Sequence, residues 1–357
     1  MVGKGLKRPR ICFYTSDFGY GHAARDIALI RELQETLHAE VVVRTGSPAE
    51  FMSRSLPGAE VVQGPNDPGV VMDGAAVDRE RTLAAVEQWL SSWEGYIASE
   101  KAFLHDRRID LILSDIAPQP FLAAEDLGLP SLGISNFTWH LIYTHLFGET
   151  EWIDRMAEAY RAASGALLFP LHEPMMVFRD RREVGLVARA VTRDRAEIPG
   201  LPPGRPLVYI GGGQSLDPAA FRGIRTALSG CTLLVPSWTD IPGAVRIPPG
   251  ETETQDWIAA CDLVISKPGY STISEAIQAG VPMALFRREG FAEDEFLIGG
   301  VEGMGIGREV PAAAIIDGSW AADRESLMGL RENFNKIDGI FKRDGTKECS
   351  SIVGEIL

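Results

Sequence analysis

His22 and Asp115 are a histidine and an aspartate that together could act as a general base on a hydroxyl group. His22 closes a glycine turn, Asp17 to His22, which follows a short apolar run from Arg10 to Tyr14. Near neutral pH an imidazole can take a proton from an attacking hydroxyl, provided that a carboxylate orients its other nitrogen. Asp115 follows a second apolar run and is the candidate for that carboxylate. The alternative is structural, with His22 and Asp115 each capping the turn in which it stands.

A second chemical motif is the stretch from Leu263 to Phe286, LVISKPGYSTISEAIQAGVPMALF. Its pattern is that of a buried strand, a glycine turn, a helix and another strand. Thr272 and Glu275 have the T-x-x-E spacing of a capping box, which predicts the start of the helix. A helix start after a glycine turn offers free N–H groups and the positive end of the helix dipole, so it suits a phosphate. Every α/β protein contains such units, however, and Glu275 would then be only a cap.

The segment Gly19 to Ala24 formally matches G-x-G-x-x-A, a signature of dinucleotide-binding folds. Such a fold needs an acidic residue at the end of the second strand to hold the ribose, whereas this chain has Arg44-Thr45-Gly46 there. Because the spacing alone is a weak signal, an oxidoreductase with a nicotinamide dinucleotide is the least favoured interpretation.

An acidic run, Glu293-Asp294-Glu295, follows Arg287 and Arg288. Such a run could hydrogen-bond sugar hydroxyls or hold a divalent ion, although acidic runs are more often solvated turns. No D-x-D motif is evident, so we expect neither a metal nor a cofactor in the mechanism.

Alternating strands and helices are needed to position these residues, and the pattern of apolar residues predicts such an alternation. The alternation predicts α/β domains with parallel sheets and helices on both faces. Residues 58–74, rich in Gly, Pro and Asp, read as a loop, and residues 191–206, rich in Pro and Gly, as a linker. The predicted strands are 10–14, 40–45, 110–114, 131–135, 207–210 and 232–236, and the predicted helices include 78–107, 120–127 and 221–228.

Length and composition fit an ordinary globular protein of about two domains. The formal net charge of −14 argues against nucleic acid or an anionic membrane surface as a general partner. The chain has no apolar run long enough to span a membrane and only four scattered cysteines, so we expect a cytoplasmic protein with buried thiols. Peripheral membrane contact stays open.

Taken together, three motifs resemble the GT-B glycosyltransferases. They are F-G-Y-G-H at residues 18–22, G-G-G-Q at 211–214, and K-P-G-Y-S-T-I-S-E-A-I-Q-A-G-V-P at 267–282. Within that group the chain resembles the peptidoglycan-precursor N-acetylglucosaminyltransferase and, more closely, the glycosyltransferase-like N-terminal half of plant arabinokinase. The closer resemblance includes S-D-I-A-P at residues 114–118 and covers roughly residues 10 to 300.

The resemblance implies a role for each matching position. His22 matches the base that deprotonates the acceptor hydroxyl, Asp115 matches the carboxylate that orients this base, and Glu275 matches the acid on the nucleotide ribose. The loops that hold the donor match Gly21, Gly212, Gly213, Gln214, Lys267, Gly269, Ser271 and Thr272, while Glu293 and Asp294 stand where the family has an acid–glutamine pair on the donor sugar.

The family also implies the architecture, namely two Rossmann-like parallel-sheet domains facing a cleft. The expected divisions are an acceptor domain (1–190), a linker (191–206), a nucleotide-sugar domain (207–340) and a C-terminal helix (341–357) that packs on the first domain. The expected activity is metal-independent, inverting transfer of a sugar from a donor linked to uridine diphosphate to an unknown acceptor hydroxyl. Two alternatives stay open, a non-catalytic module that binds sugar nucleotides and a sugar-nucleotide epimerase of the same fold.

Overall fold

The computed structural model describes residues 8–74, 76–212 and 230–357, apart from the side chain of residue 316. These residues form two compact units. Unit 1 comprises Met1–Gly69, Arg79–Val187 and Arg343–Leu357, and unit 2 comprises Val70–Asp78 and Ala188–Lys342. A long, apolar, membrane-crossing helix is not found anywhere in the part of the chain that the structure describes.

The described strands, in chain order, are β1 Arg10–Tyr14, β2 Glu40–Thr45, β3 Glu60–Gln63, β4 Met72–Asp73, β5 Ala76–Val77, β6 Leu111–Ser114, β7 Ser131–Ser135, β8 Gly165–Leu168, β9 Arg181–Glu183, β10 Leu207–Gly211, β11 Thr232–Val235, β12 Val245–Arg246, β13 Leu263–Ser266, β14 Met283–Leu285 and β15 Gly307–Glu309.

The described α-helices are α1 Tyr20–Thr36, α2 Ala49–Ser55, α3 Arg79–Ser91, α4 Trp93–Asp106, α5 Gln119–Leu127, α6 Trp139–Phe147, α7 Glu151–Arg161, α8 Thr254–Ala259, α9 Tyr270–Ala279, α10 Glu293–Gly303, α11 Ala312–Asp317, α12 Arg324–Gly329 and α13 Gly345–Ile356. Short 3₁₀ turns lie at Arg195–Glu197, Ser319–Asp323, Leu330–Lys336 and Gly339–Lys342.

Each unit is built on one parallel sheet. The sheet of unit 1 has the order β3-β2-β1-β6-β7-β8-β9, and that of unit 2 the order β12-β11-β10-β13-β14-β15. In each sheet the strand that comes first in the chain, β1 or β10, lies between two later strands of the same sheet. The strand order therefore reverses direction beside it. Open parallel sheets bind ligands at the carboxyl ends of the strands next to this switch point. The switch lies between β1 and β6 in unit 1 and between β10 and β13 in unit 2.

The central strands are buried on both faces, as their continuous apolar runs predict. In β6, β8 and β13 every residue is buried, which is typical of parallel strands covered by helices. The register then aligns the strand ends, because Tyr14 of β1 pairs with Ser114 of β6, and Gly211 of β10 pairs with Ser266 of β13.

Two sequence-based element predictions are wrong. The stretch 58–74, predicted as a loop, contains the edge strand β3, whose side chains are exposed or half-buried and therefore lack a strong apolar signal. The single long helix predicted for 78–107 is two helices, α3 and α4, which are separated at Ser92. The predicted helix 221–228 lies outside the described residues.

The C-terminal helix α13 belongs to unit 1 and packs on α1. The hydroxyl groups of Thr36 on α1 and Ser350 on α13 lie 2.6 Å apart. Gly345 at the start of α13 approaches the backbone of Gly185 so closely that a Cβ atom would lie 2.1 Å from its carbonyl oxygen. Only glycine therefore fits where this last helix begins.

Candidate active site

His22 is carried to the switch point of unit 1 by the glycine turn after β1. Gly19 has a φ of 79°, which glycine adopts without strain, and α1 begins at the next residue. His22 is therefore the third residue of α1 and is buried. Gly21, also predicted as a site residue, lies beside it in the first turn and is exposed.

The structure brings His22 and Asp115 together. Asp115 follows β6 directly, and its Oδ2 lies 3.0 Å from Nδ1 of His22. The Phe137 ring covers the imidazole, with the two ring centroids 5.7 Å apart. The capping alternative is wrong for both residues, because α1 has no side-chain cap and α5 begins after Pro118.

Arg25 is a third member of this group, and the sequence analysis missed it. Its Nε and Nη2 donate to the two carboxylate oxygens of Asp115 over 2.8 and 2.5 Å, a bidentate pair in which both side chains are buried. Its Nη1 donates to Asn136 Oδ1 over 2.5 Å. The signal was present in the sequence, since Arg25 stands three residues after His22 and therefore on the same face of α1.

Asp115 stays ionised in this setting. Its complete burial would by itself raise the pKa, but the nearby guanidinium of Arg25 and the imidazole of His22 outweigh burial and lower the pKa to about 2. A carboxylate that keeps its charge can orient an imidazole and stabilise the imidazolium that forms when the imidazole takes a proton.

Two further buried carboxyl groups lie along the same edge of the unit 1 sheet. Asp26 accepts a hydrogen bond of 2.6 Å from Thr15 Oγ1, and Asp67 accepts one of 3.1 Å from Ser16 Oγ. Burial raises the pKa of Asp26 well above its usual range and that of Asp67 to about 8. Burial thus opposes ionisation of both groups, whereas the pKa of Asp115 is lowered.

In unit 2, α9 begins earlier than the capping box predicts. Its first residue is Tyr270 and Gly269 precedes it without a side-chain cap. Thr272 is thus the third residue of the helix and Glu275 the sixth, so the carboxylate is too far along to cap the first turn, and the capping interpretation is wrong. Ser271 is buried and Thr272 half-buried in the first turn.

Glu275 instead forms a buried ion pair. Its Oε1 accepts a hydrogen bond of 2.8 Å from Nε of Arg189. The same guanidinium donates to the carbonyl of Thr252 and to the hydroxyl of Thr254. The residue predicted to hold a nucleotide ribose is therefore already engaged through one of its oxygens.

Lys267 lies at the switch point of unit 2, directly after β13. Its backbone N–H donates to the carbonyl of Gly211, which ends the neighbouring strand β10, and Gly212 follows as a buried residue. Burial and the charge of Arg288 lower the pKa of the ammonium to about 8. The two other predicted residues of this turn, Gly213 and Gln214, lie outside the described residues.

Glu293 and Asp294 surround Arg288 rather than forming a solvated turn. Asp294 accepts hydrogen bonds from the backbone N–H of Arg288 and from its guanidinium, and Glu293 accepts one of 3.2 Å from the same guanidinium. The guanidinium also covers the Phe291 ring at 3.8 Å from its centroid. Asp294 is fully buried and Glu293 is 5% exposed.

Among the described residues, no group of three or more His, Cys, Asp or Glu side chains is arranged to hold a metal ion. Cationic side chains described near the two switch points include Arg25 in unit 1 and Lys267 with Arg288 in unit 2.

The chain is similar to known proteins in sequence and in fold. It is 29% identical to L-arabinokinase of Arabidopsis thaliana over 356 residues, which is 92% of this chain and 33% of that protein. The chain thus spans about a third of the length of this relative. No family model matches it.

Two solved structures have the same architecture along almost their whole length. CalG4, the calicheamicin glycosyltransferase, superposes with a TM-score of 0.66 at 17% identity, covering 99% of both chains. UGT89C1 of Arabidopsis thaliana, complexed with UDP, gives a TM-score of 0.65 at 16% identity and covers 98% of this chain and 100% of that one. The chain therefore has the GT-B fold, as its sequence motifs predict.

Proposed function

We propose that this chain is an inverting glycosyltransferase that moves a sugar from a uridine-diphosphate sugar to an acceptor hydroxyl. The observation that carries the proposal is the buried pair of His22 and Asp115 at the switch point of unit 1. The fold that it shares with glycosyltransferases, one of them complexed with UDP, supports the class of reaction and of donor.

In this reaction unit 1 acts on the acceptor. With its Nδ1–H donated to Asp115, His22 presents the lone pair of Nε2 and takes the proton of the acceptor hydroxyl. The hydroxyl oxygen bonds to the anomeric carbon, and the bond from that carbon to the diphosphate oxygen breaks on the opposite side. The bonding electrons leave with the nucleoside diphosphate, so the configuration inverts, and Asp115 stabilises the imidazolium.

Unit 2 binds the donor in this proposal. Negative charge that develops on the leaving diphosphate is offset by the first turn of α9, with the N–H groups after Gly269, and by Lys267. The ribose hydroxyls bond to the oxygen of Glu275 that Arg189 does not use. Glu293 is the better sugar contact of the acidic pair, because the oxygens of Asp294 are bonded to Arg288. These groups act without a metal, so chelators leave the rate unchanged.

A transfer assay with a panel of UDP-sugars and simple alcohols tests the proposal. Released UDP measures turnover, and the anomeric configuration of the product, read by NMR, reports inversion. His22→Gln should lower kcat by about 10²–10⁴ and leave donor affinity unchanged, because only the base is lost. His105→Gln is the control, since His105 is exposed in the same unit.

Three outcomes would overturn parts of this proposal. Undiminished turnover by His22→Gln removes the base assignment. Binding of UDP-sugars without any turnover identifies a silent binding module instead. An isomerised sugar nucleotide that forms without an acceptor identifies an epimerase.

A further inference from the structure

Nη2 of Arg25 lies within hydrogen-bond distance of more acceptors than it has hydrogens. The acceptors are Asp115 Oδ1 at 2.5 Å, His22 Nδ1 at 2.7 Å and Ser135 Oγ at 3.1 Å. A guanidinium Nη carries two hydrogens and accepts none. One hydrogen is bound to Asp115, so His22 and Ser135 compete for the other.

This choice decides the tautomer of His22. If the second hydrogen goes to Nδ1, that nitrogen is an acceptor and the neutral ring carries its proton on Nε2, where it can take no other proton. If Ser135 takes the hydrogen, Nδ1 is free to carry its own proton and donate it to Asp115 Oδ2, 3.0 Å away. Only the second arrangement leaves a base at Nε2.

The two groups that contact Nδ1 of His22 are charged. Arg25 is a guanidinium, and Asp115 keeps its charge because its pKa is lowered to about 2. The other titratable groups at this edge of the sheet, Asp26, Asp67 and Glu173, are buried carboxyls whose pKa values are raised by desolvation. The tautomer of His22 is therefore decided by its contacts with Arg25 and Asp115.

We propose that Arg25 and Ser135 are positioning residues that set the tautomer of His22, with Ser135 Oγ taking the guanidinium hydrogen that would otherwise block Nδ1. The inference rests on the proposed function, because the tautomer matters for catalysis only if His22 is the base. The tautomer itself can nevertheless be measured on the protein without any substrate.

Ser135→Ala is the decisive variant, because it removes the alternative acceptor and leaves every charge in place. The Nη2 hydrogen then goes to His22 Nδ1, and kcat should fall by about 10²-fold, the lower end of what a general base contributes. Ser135→Thr keeps a hydroxyl group and should restore turnover.

Ser131→Ala is the matched control. Ser131 is a buried serine on the same strand. Its hydroxyl accepts the backbone N–H of Ser164, just as that of Ser135 accepts the backbone N–H of Phe137. It is not among the residues that Arg25 contacts in the described structure. A general loss of stability would therefore affect both alanine variants, whereas a change of tautomer affects only Ser135→Ala.

The experiment is ¹H–¹⁵N NMR of the imidazole nitrogens in the whole chain, with the His22 signals assigned by their loss in His22→Gln. We expect the Nδ1–H tautomer in the wild type, in Ser131→Ala and in Ser135→Thr, and the Nε2–H tautomer in Ser135→Ala. An Nε2–H tautomer in the wild type, or an unchanged one in Ser135→Ala, would overturn the inference. If the tautomers differ from expectation but sugar transfer is normal, the inference fails and the proposed function stands. If the tautomers are as expected but no sugar is transferred, the proposed function fails and the inference stands.

Discussion

Arg189 and Glu275 form an ion pair inside unit 2 in which the side chains are only 2% and 3% exposed. The pair joins Arg189, two residues before the predicted linker, to the middle of α9. Burial raises the pKa of Glu275, and the charge and hydrogen bond of Arg189 oppose that rise. Arg189 therefore fixes the orientation of the carboxylate proposed to hold the ribose. In the proposed function the pair thus links donor binding to the stability of unit 2.

Arg189→Met should destabilise the protein by about 3–5 kcal/mol, because it leaves a buried carboxylate without its partner. Urea unfolding at pH 7 measures the loss. The deficit should shrink as the pH falls, since a protonated Glu275 needs no cation. Arg246→Met is the control, because its ion pair with Asp240 is exposed and is worth less than about 1 kcal/mol. Equal unfolding midpoints for the two variants would contradict a structural role of the buried pair.

Lys267 should make nucleotide binding depend on pH. Its pKa is lowered to about 8 by burial and by Arg288, and a bound diphosphate favours the charged ammonium. The affinity for UDP is then full below pH 8 and declines as the pH rises through that value, and binding near pH 8 takes up a proton. Calorimetry in buffers with different ionisation enthalpies measures this uptake.

Lys267→Met should weaken UDP binding and abolish both the decline and the proton uptake. Lys342→Met, which changes an exposed lysine of the same unit, should bind as the wild type does. A Lys267→Met protein that still takes up a proton on binding would show that another group is responsible.

The positions of His22 and Asp115 could be predicted from sequence because each follows a buried apolar run. Such runs locate the strands, and parallel strands end at a common edge, so residues that are far apart in the chain come together there. The glycine at position 19 fixes the turn between β1 and α1 in the same way, through a backbone conformation that disfavours other residues.

The partners of these residues could not be predicted in the same way. Arg25 and Arg189 each pair with a carboxylate that is distant in the chain. The spacing of three residues places Arg25 beside His22, but nothing in the local sequence of either arginine tells which carboxylate it meets. The spacing of Thr272 and Glu275 gave a wrong prediction of the helix start for a related reason. A capping box is a local pattern, and α9 begins two residues before it because the glycine turn ends there.

Asp67 should lower the stability of the protein as the pH rises. Burial, with the added charge of Asp17, raises its pKa to about 8, whereas an unfolded aspartate titrates near 3.9. Between these values the folded state holds a proton that the unfolded state has lost. Stability therefore falls with rising pH by up to about 1.4 kcal/mol per unit from this group, and levels off above pH 8.

Asp67→Asn keeps the shape of the side chain and the oxygen that accepts from Ser16, but it cannot titrate. Between pH 5 and 8 its free energy of unfolding should depend less on pH than that of the wild type. The difference in slope should correspond to about one proton released on unfolding. Urea unfolding at several pH values gives both curves, and the exposed Asp106→Asn is the control. Asp26 and Glu173 contribute to both proteins alike, so parallel curves for wild type and Asp67→Asn would refute the assignment.

Substitutions of Glu293 and Asp294 should have different effects, although both carboxylates bond the guanidinium of Arg288. Asp294 is fully buried and bonds both the backbone and the side chain of Arg288, so Asp294→Asn should cost stability, up to about 3–5 kcal/mol. Glu293 is slightly exposed and shares the same guanidinium, so Glu293→Gln should cost less and should instead alter KM among donors with different sugars.

Thermal unfolding and a donor panel separate the two effects, and Glu295→Gln, which changes an exposed acid of the same helix, is the control for both. The order of stability should be Glu295→Gln, then Glu293→Gln, then Asp294→Asn. A donor preference that changes in Asp294→Asn but not in Glu293→Gln would exchange the two roles, because it would assign Asp294, rather than Glu293, to the sugar.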